Sequence, residues 1–154
     1  MLFPDAVELN WDAMLCVAGV FTWLWGGKQR EVKRASESFR RKREYLEARF
    51  MDLARSLGKP RGVRWLDCQW QPNFLLARDR KTGMLTAFVG VHISFEAIEG
   101  GDMEDVAAVG ALRDATALFH YQHGEWGTGG RALFNMDPAL ALKRFEDQYE
   151  PVGE

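Results

Sequence analysis

Apolar and polar positions fall into three successive patterns along this chain. Residues 13–27 (AMLCVAGVFTWLWGG) are uncharged and mostly apolar, with no polar stripe. Residues 28–57 contain no Gly or Pro and are rich in Arg, Lys, Glu, Ala and Leu, which predicts a helix. Within it Val32, Phe39, Leu46 and Leu53 recur at seven-residue spacing, with Ala35, Phe50 and Leu57 around them. Gly58 and Pro60 supply its stop signal. From Gly62 onward the period drops to that of a strand.

The two halves of the predicted helix differ. Residues 28–44 are highly polar and read as a solvated basic stalk. In residues 45–57, Tyr45, Leu46, Phe50, Leu53, Ala54 and Leu57 make a broad apolar face expected to pack on a sheet. Lys42 stands where a clean heptad needs an apolar residue, so no long coiled coil is expected.

Residues 63–70 predict one strand. Pro72 interrupts, and residues 74–80 predict a second. Lys81-Thr82-Gly83 then signals a hairpin turn. The clearest alternation follows at 84–96. Leu85, Ala87, Val89, Val91, Ile93 and Phe95 form one uniformly apolar set that should face the core. Met84, Thr86, Phe88, Gly90, His92, Ser94 and Glu96 form the other, with Phe88 its large apolar member. Gly90 in mid-strand predicts a bulge or bend.

Gly100-Gly101 ends this strand, and residues 97–112 read as a loop with one small element. Residues 115–123 predict a strand, His123-Gly124 a turn, and residues 125–135 a returning strand. Asp137 is a natural N-cap and Pro138 suits a first helical position. The last helix is expected over 138–149, with Leu142, Phe145 and Tyr149 on one stripe and Pro151 ending it.

These elements predict an α+β fold: an N-terminal apolar helix, a basic helical stalk, a curved antiparallel sheet of four to five strands packed on a helix, and a short C-terminal helix. The element order over residues 45–149 resembles that of cystatin-like and NTF2-like architectures. The likeness rests on order alone, without a motif, so it transfers no residue roles. The expected organisation is an N-terminal segment with a membrane anchor over 1–27, the stalk over 28–44 and the α+β domain over 45–154.

At 154 residues, with 47% hydrophobic and 27% charged residues, the chain is long enough for one ordinary core and not disordered by composition. The net charge of −2 conceals segregation. Residues 28–43 carry eight basic side chains, Lys28, Arg30, Lys33, Arg34, Arg40, Arg41, Lys42 and Arg43, against Glu31 and Glu37. No Lys or Arg precedes residue 28, whereas Asp5, Glu8 and Asp12 do. Residues 96–105 hold Glu96, Glu99, Asp102, Glu104 and Asp105 and no basic residue.

This arrangement gives the apolar run the flanks of a membrane anchor with its C-terminal side in the cytoplasm. Trp11 at one end and Trp23 and Trp25 at the other suit the headgroup interface, and Lys28, Arg30, Lys33 and Arg34 follow where anionic lipid would favour them. A cleavable signal peptide would need basic residues before the run. The competing reading is a buried helix, because residues 13–27 reach only about 22 Å at the helical rise, less than a bilayer core of about 30 Å. Cys16 and Cys68 lie in unlike settings and make no disulfide framework, consistent with a reducing compartment.

Catalytic chemistry finds little support. Cys68 with His92, His120 or His123 would need a shared geometry that sequence does not supply, and Cys68 reads as a packed thiol. His120 and His123 lack the spacing of a metal site, and the acidic block lacks the ligand pattern of a calcium loop. Glycines 124–130 precede a strand rather than a helix, so they read as a turn and bulge and not as a phosphate cradle. A concave sheet under a helix could enclose a ligand, and Trp65, Trp70, Phe88, His92 and Trp126 are the residues expected to line such a pocket.

The sequence therefore predicts a small single-pass, membrane-anchored, non-enzymatic binding or scaffold protein, such as an accessory subunit of a membrane complex. Its expected partners are lipid through 13–27, anionic headgroups through 28–43, and a protein, with no nucleic acid, cofactor or metal. The alternative is a soluble cytoplasmic cystatin-like or NTF2-like domain that binds a small ligand or carries an enzymatic activity.

Overall fold

The computed structural model describes residues 11–57, 60–106 and 110–153. Helix α1 (Trp11–Ser56) is followed by strands β1 (Val63–Asp79), β2 (Leu85–Ala97), β3 (Arg113–Gln122), β4 (Glu125–Gly127) and β5 (Ala132–Phe134). Helix α2 (Pro138–Arg144) and strand β6 (Tyr149–Val152) complete the chain. The fold is α+β, with all pairings antiparallel in a six-stranded sheet of order β4-β3-β2-β1-β6 and β5 also on β3. His123 and Gly124, both at positive φ (52° and 79°), close the β3–β4 hairpin, as a two-residue turn requires.

The expected anchor, stalk and packed segment are one uninterrupted helix of 46 residues, about 69 Å long. Packing begins at Val32 rather than at Tyr45. Val32, Ala35, Ser36, Phe39, Leu46, Phe50 and Ala54 are all buried and form one stripe. So the polar 28–44 segment is not wholly solvated: one side of it belongs to the core. Phe39 is the centre of that contact, with ring centroids 4.7 Å from Phe74, 4.9 Å from Trp126 and 5.3 Å from Phe119. The Trp126 indole N–H donates to the Ala35 carbonyl at 2.8 Å, which ties β4 to the helix. Gly130 lets the β4–β5 connection approach the other end. A Cβ there would sit 2.7 Å from the Ala54 backbone nitrogen, and its φ is +70°.

Strand β1 runs straight through Pro72, where two strands were expected. The proline is tolerated because it lies in a bulge: Trp70 pairs with Val91 and Phe74 with Val89, so residues 71–73 face Gly90 alone. A second irregularity at Leu66 places Trp65 and Cys68 toward the same core while Leu66 stays exposed. Both irregularities are held by arginines of α1. Arg55 donates to the Leu66 carbonyl at 3.1 Å, and Arg43 donates to the carbonyls of Gln71 and Pro72. Backbone oxygens freed from the ladder thus keep partners.

The apolar set of β2 faces α1 as expected. Its other set is also covered in mid-strand, where Phe88 packs with Ala77, Leu118, Ala141, Leu142 and Tyr149 in a second cluster beneath α2. Helix α2 has its Asp137 cap, which accepts from the Leu140 N–H at 2.8 Å. It stops at Arg144 rather than at residue 149. Tyr149 and Pro151 instead belong to β6, which pairs with residues 76–79 of β1. Pro151 is acceptable there because β6 is an edge strand.

Candidate functional site

Among the described residues the largest departure from ordinary packing is the free end of α1. Every residue from Met14 to Trp25 is exposed, on all sides of the helix. Val17 and Leu15 are each 69% exposed and Trp23 75%. An exposed apolar surface of this extent is uncommon on a folded domain. Lys28, Arg30, Lys33 and Arg34 follow, all exposed. These four span about 9 Å along the axis. Further along, the basic residues serve the fold: Lys42 pairs with Glu125, and Arg43 with Glu47 at 2.6 Å. Asp5 and Glu8 lie outside the described residues, as do the side chains of Trp11 and Asp12. Among the described residues no helix is long and apolar enough to cross a membrane.

The five residues expected to line a pocket under α1 do not meet. Trp65 and Trp126 are buried and Trp70 half-buried in the aromatic core between α1 and the sheet, together with Phe39, Phe50 and Phe119. Phe88 lies on the opposite face, its ring 5.1 Å from that of Tyr149. His92 borders a cavity.

That cavity, about 330 Å³, lies where the β1 bulge, β2, β3 and the start of α2 come together. Phe74, Leu75, Val91, Ala115, Met136 and Pro138 supply its apolar wall, and Gln71, Asn73, His92, Asp114 and Asp137 its polar groups. Gly90 permits this convergence, because a Cβ there would lie 2.8 Å from Gln71 Cγ and 3.4 Å from Pro138 Cδ. The register sets His92 directly opposite Asp114. His92 Nδ1 lies 2.6 Å from Asp114 Oδ1. A carboxylate only accepts, so Nδ1 carries the proton and donates. In the uncharged ring Nε2 then accepts from the Gln71 amide, 2.6 Å away. The histidine is held at both nitrogens at the cavity rim. Sequence reasoning singled out His92 for a pocket, Gly90 for a bend and Asp137 for a helix cap, but missed Gln71, Asn73 and Asp114, which only the bulge and strand register bring to them.

Cys68 and His120 also have partners within the fold. Cys68 donates to the Met51 sulfur at 2.8 Å, and burial, with the nearby Asp67 charge, raises its thiol pKa to about 12. It is protonated at neutral pH and no activated nucleophile. His120 faces Thr86, with Nδ1 and Oγ1 3.2 Å apart. Among the described residues no group of three or more His, Cys, Asp or Glu is placed to hold a metal ion. Comparison with known protein families, curated proteins and solved structures finds no match to the chain.

Proposed function

We propose that this protein is a small membrane-attached binding module, with the free end of α1 embedded in lipid and the α+β domain held at the cytoplasmic surface as a docking unit. The observation that carries this reading is that, among the described residues, the apolar surface from Met14 to Trp25 is left exposed, with only Trp25 coming near the rest of the domain, beside Arg78 and Pro151. Burying one large apolar side chain is worth about 1.5–3 kcal/mol, so leaving eight of them in water is costly unless another phase or molecule takes them up. Trp23 and Trp25 then fall near the headgroups, and Lys28, Arg30, Lys33 and Arg34 on the anionic leaflet, each adding about 1 kcal/mol. The apolar segment, about 22 Å long, is short for a full span. Local thinning of the bilayer and snorkelling of Lys28 and Arg30 accommodate it.

Vesicle flotation of the full chain tests this. The parent should float with vesicles containing anionic lipid and resist release by high salt or carbonate. A variant carrying Val17→Glu, Phe21→Glu and Leu24→Glu should remain at the bottom of the gradient with its domain folded. A parent chain that stays monodisperse in water and does not float removes the reading.

The second reading is a soluble cystatin-like or NTF2-like domain that takes a small ligand. The element order, a helix across an antiparallel sheet, supports it, as does the cavity beside His92. In that case the end of α1 is a contact to another chain.

A further inference from the structure

We propose that the cavity between the β1 bulge and the start of α2 binds a small amphipathic amine, its ammonium held by Asp114 and its apolar body against Leu75, Met136 and Pro138. The inference rests on the cavity alone and stands whether or not α1 enters a bilayer. Its volume of about 330 Å³ falls within the range of small-molecule sites. It is about twice the roughly 150 Å³ that takes up a benzene, which suits a phenylalkyl group.

The site is assembled from parts distant in sequence. Three residues of β1 loop out opposite a single glycine, and Gly90 leaves just enough room for Gln71 and Pro138 to approach. A regular β1–β2 ladder would close this space. The wall is mostly apolar, so the bulk of any ligand is hydrocarbon.

Charge then selects the ligand's polar end. Among the described residues, two carboxylates, Asp114 and Asp137, border the cavity, and no Lys or Arg does. Asp137 is partly committed to capping α2 through Leu140. Asp114 is fixed through one oxygen by His92, which in turn is fixed by Gln71. This chain holds the carboxylate in place before any ligand arrives, so little ordering remains to be done on binding. An anionic ligand would bring a third negative charge to this rim. An ammonium gains a charge-assisted hydrogen bond there, among the stronger polar contacts available.

The test compares phenethylamine, 2-phenylethanol and 3-phenylpropionate on the full chain in nonionic detergent, followed by amide and imidazole NMR shifts. The amine should bind with millimolar affinity, as expected for so small a ligand, and its shifts should centre on Gly90, His92 and Asp114. The alcohol should bind more weakly and the carboxylate least. Asp114→Asn should weaken the amine about tenfold and leave the alcohol nearly unchanged. Asp114 is an exposed side chain, and an unchanged thermal midpoint confirms that the variant is folded. Carboxylate binding as tight as that of the amine, shifts centred elsewhere, an amine affinity unchanged in Asp114→Asn, or no binding by any of the three overturns the assignment.

Discussion

Cys16 and Cys68 show how far the setting of a residue determines its chemistry here. Cys16 is exposed on the free end of α1, and Cys68 is half-buried against Met51. With its pKa raised to about 12, Cys68 holds almost no thiolate at neutral pH. In detergent-free native protein at low ionic strength without lipid, iodoacetamide should modify Cys16 and spare Cys68 until denaturant is added; peptide mapping by mass spectrometry reads the ratio. His120 behaves differently. Burial, helped by the Arg131 charge, lowers its pKa from the ordinary 6.5. The unfolded chain therefore binds a proton that the folded one refuses, and this contribution to stability is full above about pH 6.5 and is lost as pH falls toward the folded value. The drop in thermal midpoint between neutral and mildly acidic buffer should be smaller in His120→Gln than in the parent. An equal drop in both would show that His120 does not contribute.

Helix α1 divides at Val32 into a free end and a packed stem, and substitutions on either side should report this. Phe39→Ala should cost about 3–5 kcal/mol, as a fully buried aromatic does. Phe21→Ala should change domain stability by no more than about 0.5 kcal/mol. Urea unfolding followed by tryptophan fluorescence measures both, and equal effects would contradict the division. The stem was hard to read because its buried stripe at Val32, Ala35, Ser36 and Phe39 contains small and polar residues among many charges. Strand β2 was legible, since six apolar residues alternate without exception from Leu85 to Phe95. The continuity of β1 was not, because proline usually breaks a strand and only the Arg43-clamped bulge makes Pro72 acceptable. Strand β6 was missed because Tyr149 completes a helical stripe with Leu142 and Phe145, while its pairing with Ala77 and Arg78 is a long-range event. The cavity had one local sign, Gly90. The pairing of His92 with Asp114 follows from register across two strands, which no local pattern carries.

At the scale of the whole molecule, the chain places its uncovered apolar surface at one end and its folded core at the other, with Lys28 to Arg34 between them. That order predicts which side of a membrane the domain occupies. In intact cells the domain should resist external protease and become cleavable once the cytoplasm is opened. Cleavage from outside would reverse the orientation. The central claim, that lipid covers the free end of α1, is tested most directly at Cys16. A polarity-sensitive fluorophore attached there sits in water in the isolated chain. On addition of vesicles containing anionic lipid, its emission should shift to the blue and become quenchable by a quencher carried on the lipid acyl chains. Emission that stays unshifted and unquenched at saturating vesicle concentration would contradict the account.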